Sequence, residues 1–119
     1  MIDLGLEGTR VLIAGAGRGI GEACARLLAA AGSRVACLDV DAGRRDAVVE
    51  SLRRSGCEAI PIAGDVRRRD EVEQAVARAV ECFGGVDVCV DVIGEARWGR
   101  VLDLTGQDWD DKFPLSLRA

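Results

Sequence analysis

The sequence predicts an α/β fold with three layers, helices on both faces of a four-stranded parallel sheet, in strand order 3-2-1-4. Three observations predict it. Short apolar runs rich in β-branched residues alternate with segments of helical periodicity. Glycines punctuate the joints between them. Every strand is followed by a helix, which gives right-handed βαβ units and parallel pairing. At 119 residues and 12.6 kDa the chain holds one domain, residues 1–119, with enough length for one core.

The first strand is Arg10 to Ala14 (RVLIA), which stops at a glycine. A helix starts at Gly19, with Ile20, Ala23, Cys24, Leu27, Leu28 and Ala31 as its expected apolar face, and Gly32 ends it. Arg34 to Asp39 (RVACLD) is the second strand. Asp41 to Ser55 is a charged helix with a thinner stripe of Ala47, Val48 and Leu52, closed by Gly56. Glu58 to Ala63 (EAIPIA) is the third strand, and Pro61, unable to donate a ladder bond, puts it at an edge. A helix from Arg69 to Phe83 repeats the same spacing through Val72, Ala75, Val76, Ala79 and Val80 before Gly84-Gly85. Val86 to Ile93 (VDVCVDVI) is the fourth strand. After an irregular stretch from Gly94 to Leu104, Thr105 and Asp108 make a capping-box start for a last helix. Trp109, Phe113 and Leu117 are its expected packed face, and Pro114 is expected to kink or end it.

Composition narrows the chemistry. The chain has no histidine and no tyrosine, and Lys112 is its single lysine. A net charge of −4 gives no basic footprint for nucleic acid, so none is expected as a partner. No apolar run reaches the length of a membrane span, and the start lacks the basic and apolar regions of a signal peptide, so no membrane association is expected. Five cysteines without a C-x-x-C pair read as reduced thiols in a cytoplasmic protein, and no metal site is expected.

The chemistry concentrates in Gly15-Ala16-Gly17-Arg18-Gly19-Ile20-Gly21, between the first strand and the first helix. Glycines let the backbone turn sharply and approach a ligand, and the helix start offers free N–H groups and a positive dipole end to a phosphate. A tight turn that binds nothing is the plain alternative. The spacing is Gly15-x-x-x-Gly19-x-Gly21, not G-x-G-x-x-G, because position 20 is isoleucine. Asp39 follows 18 residues after Gly21, where a carboxylate can accept hydrogen bonds from an adenosine ribose. It would repel a 2′-phosphate, which favours NAD over NADP; Arg18 pulls the other way, and Val40 adds no second base. A capping or turn aspartate is the structural alternative for Asp39.

With its neighbours, the loop resembles that of the short-chain dehydrogenase/reductase family. Val11-Leu12-Ile13-Ala14-Gly15 and Arg18-Gly19-Ile20-Gly21 resemble the family's Thr-Gly-x-x-x-Gly-Ile-Gly loop, with Ala14 in place of threonine. Leu38-Asp39-Val40 resembles the end of its second strand, Gly64-Asp65-Val66 its adenine contact, and Thr105 to Asp110 the start of the helix after its fourth strand. The similarity runs from Leu4 to Leu117. It implies a Rossmann-type domain, the dinucleotide-binding half of an enzyme that transfers hydride between nicotinamide and an alcohol or ketone. It also implies Asp65 and Val66 at the adenine, with an N-cap for the third helix as the other reading of Asp65. Arg67-Arg68-Arg69 reads as a solvated surface.

The chain departs from the family at two places. Where the family has Asn-Asn-Ala-Gly after strand four, this chain has Asp91-Val92-Ile93-Gly94, so backbone near Ile93 and Gly94 is left to line the cofactor ribose, with Asp91 in a cofactor-side or a structural role. Ser116 stands where the family's helix asparagine falls, and the family's tyrosine–lysine pair is not among these residues. The expectation is a truncated sheet that binds NAD through its adenosine half without catalysing hydride transfer. It also includes self-association through the open edge of the fourth strand or the last helix. Two rivals are a non-enzymatic interaction module and an S-adenosylmethionine methyltransferase, which Gly15, Gly17, Gly19 and Asp39 also fit.

Overall fold

A computed structural model describes residues 2–96 and 98–117. Four strands, β1 (Arg10–Ala14), β2 (Arg34–Leu38), β3 (Ala59–Ile62) and β4 (Val88–Asp91), pair in parallel in the order β3-β2-β1-β4. The crossovers are the helices α1 (Gly19–Ala30), α2 (Ala42–Arg54) and α3 (Arg69–Phe83), and a single 3-10 turn at Val101–Asp103 leads into α4 (Gly106–Ser116). The predicted strand order and the edge position of Pro61 both hold.

Period-two alternation divides the strands between two cores. Val11, Ile13, Val35 and Cys37 turn to one face, where Ala25 and Ala29 of α1 and Val48, Val49 and Leu52 of α2 cover them. Leu12, Ala14, Ala36, Leu38 and Ile62 turn to the other, under Ala75, Ala79 and Phe83 of α3. Each buried valine, leucine or phenylalanine stabilises the fold by roughly 1.5–3 kcal/mol. The ion pairs lie at the surface, where each adds about 1 kcal/mol at most. Burial on the central strands therefore dominates.

Four expectations need correction. In α1 the buried residues are Gly21, Ala25 and Ala29, flanked by Cys24 and Leu28, while Ile20 and Leu27 are each 72% exposed. The glycine loop presses Gly21 against Gly15, which fixes the rotation of the helix and turns its small residues to the sheet. In α2, Val49 is buried in place of Ala47. The fourth strand is shorter than Val86 to Ile93, because β1 ends at Ala14 and its partner is Asp91. At the other end the Asp87 carboxylate accepts the Arg10 N–H (2.9 Å) and pairs with the Arg10 guanidinium (2.8 Å), where a further rung would stand. In α4, Trp109, Phe113 and Leu117 are exposed, Asp108 is the buried residue, and Leu115 is the side chain that reaches the α3-side core. Pro114 lies in the last turn of α4, which closes two residues later at Ser116.

Candidate functional site

Parallel pairing brings the C-terminal ends of all four strands to one rim, and the order places β4 on the opposite side of β1 from β2 and β3. A crevice opens at such a switch point. Here it is a cleft of about 500 Å³. Gly15, Gly19 and Gly21 form its floor with Arg18 and Ile20. Asp39 and Val40 after β2, and Asp65 and Val66 after β3, form one wall. Ile93 and Gly94 after β4 form the other.

The floor is built by close backbone approach. Gly15 has φ +89°, and its N–H and that of Ala16 both donate to the Leu38 carbonyl, at 2.8 and 3.2 Å, tying the loop to the end of β2. A Cβ at Gly21 would run into the Gly15 carbonyl oxygen, and one at Gly15 would lie 3.0 Å from Ile93 Cγ1. Arg18 occupies the N-cap of α1 with extended backbone and no side-chain cap bond. The cradle is therefore bare backbone, and the positive end of the helix points into it. Such a cradle fits a phosphate group.

Asp39 stands half-buried at the tip of β2. Its Oδ2 accepts the Gly17 N–H and its Oδ1 the Asp41 N–H, both at 2.9 Å. It is a turn aspartate, as its structural alternative has it, and it also lines the cleft. The cap of α2 belongs to Asp41, which accepts the Arg44 N–H. Asp65 accepts the Arg67 N–H at 3.0 Å and forms a two-pronged pair with the Arg67 guanidinium. That guanidinium holds the Asp65 carboxyl at about 2, down from 3.8. Asp65 is not the N-cap of α3: Arg68 has that position and contributes no side-chain bond. Arg68 and Arg69 pair with acidic neighbours at the surface, whereas Arg67 lies on the cleft wall.

Gly17 and Asp91 do not wall the cleft. Gly17 sits behind it as the donor to Asp39, and the Asp91 carboxylate accepts the Ile93 N–H at 3.1 Å, shaping the turn after β4. Ser116 is exposed at the end of α4, away from the wall. Four wall residues were not anticipated: Arg67, Val92, Glu95 and Leu115. Only Val92 had a signal, being inside a predicted strand next to Ile93. The other three meet the cleft through loop and helix placement that periodicity does not encode. Lys112 of α4 binds Glu95 at 2.8 Å, which pulls the Glu95 carboxyl below its ordinary range.

Elsewhere, all five cysteines are free thiols, and burial pushes Cys37 up to about 12. Among the described residues no group of three metal-ligating side chains is assembled, and no helix is long and apolar enough to cross a membrane.

A family model for short chain dehydrogenases matches residues 9–119. The chain is 35% identical over 112 residues to a 2,3-dihydro-2,3-dihydroxybenzoate dehydrogenase of Bacillus subtilis, covering 94% of this chain and 43% of that one. It is 40% identical over 106 residues to the short-chain reductase protein NovJ of Streptomyces niveus, covering 89% and 40%. A dehydrogenase/reductase from Sinorhizobium meliloti superposes with TM-score 0.88 at 34% identity, covering 94% and 45%. A short chain dehydrogenase from Burkholderia cenocepacia, solved in complex with NADP, superposes with TM-score 0.86 at 40% identity, covering 95% and 46%. The chain spans less than half the length of each of these proteins.

Proposed function

The chain belongs to the short chain dehydrogenase family, and from that premise we propose that residues 1–119 form one dinucleotide-binding domain whose cleft holds the adenosine diphosphate half of NAD. The observation that carries the reading is Asp39, a carboxylate held by two backbone N–H groups on the cleft wall beside the glycine floor. Its remaining lone pairs suit ribose hydroxyls, and its charge opposes a 2′-phosphate. The N–H groups of Gly19, Ile20 and Gly21, with Arg18, receive the diphosphate. Gly17 serves through Asp39, and Val40 flanks the ribose. Asp65 accepts from the adenine amino group, with Val66 against the ring. Ile93 and Gly94 border the second ribose, and Asp91 holds their turn.

When bound, the nicotinamide supplies hydride transfer to or from an alcohol or ketone, the activity proposed for the whole protein. These 119 residues contain no tyrosine, and their one lysine is committed to Glu95. Their own part is therefore to bind and orient the nucleotide without turning over a substrate. Five free thiols suit a reducing, cytoplasmic setting.

Calorimetry with NAD, NADP and ADP-ribose tests the reading. NAD and ADP-ribose will bind with similar, weak affinity and NADP more weakly. Asp39→Asn keeps an acceptor for Gly17 but removes the charge. It will raise the NADP-to-NAD affinity ratio about tenfold, or about 1.4 kcal/mol. An unchanged ratio would mean that Asp39 does not face the ribose. No heat with either NAD or ADP-ribose would favour an interaction module.

A further inference from the structure

Glu95 is an acidic side chain on the wall of a cleft whose glycine floor suits an anion. Its partner is Lys112, 17 residues along the chain, at 2.8 Å; the two side chains are 64% and 31% exposed. Lys112 and Leu115 lie one turn apart on α4, and Leu115 also reaches the cleft wall. The Lys112–Glu95 pair thus fastens α4 to the segment after β4. Arg18, at the start of α1, is within electrostatic reach of Glu95, and its side chain makes no cap bond to the helix. Arg18 and Glu95 both line the cleft beside the glycine cradle, and Lys112 adjoins it through Glu95. A diphosphate placed in the cradle is repelled by Glu95 and attracted by Arg18 and Lys112.

We propose that Glu95 is a resident anion that competes with the ligand's diphosphate for Arg18 and Lys112, so that nucleotide binding breaks the Glu95–Lys112 pair and passes both cations to the ligand. The inference rests on the dinucleotide reading and adds to it a residue that lowers affinity. Breaking the pair also releases the clasp between α4 and the segment after β4, so binding and the seating of α4 are coupled.

The test is calorimetry on the 119-residue chain, on Glu95→Gln and on Lys112→Met, with ADP-ribose and with adenosine, at low and high sodium chloride. Both changes are at exposed or half-exposed positions, and a thermal melt of each variant checks that it is folded. Glu95→Gln will tighten ADP-ribose roughly two- to fivefold at low salt, the scale of an exposed charge interaction. Lys112→Met will loosen it by a similar factor. Both differences will shrink at high salt, and adenosine, which carries no phosphate, will bind all three alike. If the wild-type chain binds ADP-ribose and Glu95→Gln binds it equally or more weakly, the inference is overturned while the dinucleotide reading stands. If the wild-type chain binds neither probe, both fall.

Discussion

Gly21 carries no side chain because the Gly15 carbonyl occupies the place where a Cβ would be. The obstacle is backbone, itself held by the bond from the Gly15 N–H to Leu38, so it cannot swing away as a side-chain tip would. Gly21→Ala will destabilise the chain by about 1–3 kcal/mol, read as a lower urea midpoint, and will widen the turn that forms the cleft floor. Asp65 makes a prediction of another kind. Its carboxyl is held at about 2 by Arg67 in the folded state and returns to 3.8 when unfolded. The unfolded chain then binds more protons between those values, so the stabilisation is fully present above about pH 4 and is lost as pH falls towards 2. Urea midpoints from pH 5 to pH 2 will fall, and Asp65→Asn will flatten part of that slope. Asp87, held below the usual carboxylate range by Arg10, supplies more of it. At this scale the site was legible wherever one residue type answers one demand: glycine at a close approach, aspartate at a strand tip. Glu95 and Arg67 were not, because what a surface charge does depends on which opposite charge the fold brings near it.

Among the elements, α4 leaves its largest side chains, Trp109 and Phe113, exposed. Its ties include the Leu115 contact, the Lys112–Glu95 pair and its own cap. That cap is a full box: the Thr105 hydroxyl accepts the Asp108 N–H at 3.2 Å, and the Asp108 carboxylate accepts the Thr105 N–H at 2.8 Å. Thr105→Ala will cost about 1 kcal/mol, within α4. Hydrogen exchange is the measurement: α4 amides will exchange faster in the variant while those of β1 keep their rates, and uniform acceleration would mean that α4 unfolds only with the whole. The spans of β1, α1, β2 and α3 were legible because each alternates or repeats over its full length. The rotation of α1 was not. Its sequence offers two overlapping stripes, a large one through Ile20 and Leu27 and a small one through Gly21, Ala25 and Ala29, and a contact outside the helix decides between them. The stripe of Trp109 and Phe113 failed for a related reason, since an apolar face predicts burial only where a surface exists to receive it.

Across the whole molecule, the two edges of the sheet are not equivalent. β4 borders solvent on the side away from β1, and Val88, Cys89 and Val92 are exposed along it. Asp91 is the acidic residue within the strand, and the Asp87 charge just before it is already paired with Arg10. Open ladder groups beside exposed valines favour strand addition. Light scattering on the 119-residue chain will therefore show mass above 12.6 kDa that grows with concentration. Val88→Lys will return it towards the single-chain value, and a constant single-chain mass in the wild type would show the edge to be protected. Val90 is a poorer place for that lysine, because it packs against the α1-side core.

Pro61 limits how far such growth can go. Glu58 and Ile62 turn their carbonyls to β2, accepting the N–H groups of Val35 and Asp39, so Pro61, one residue out of phase with them, turns outward. The outer rail of β3 therefore lacks a donor at the middle of a four-residue strand. Head-to-tail stacking, β4 of one copy on β3 of the next, would need that donor at every joint. Pairing β4 with β4 about a two-fold axis would not, and it uses up the β4 edge of each copy. The expected product of strand addition is therefore a closed pair, and light scattering on the 119-residue chain will level off at twice the single-chain mass.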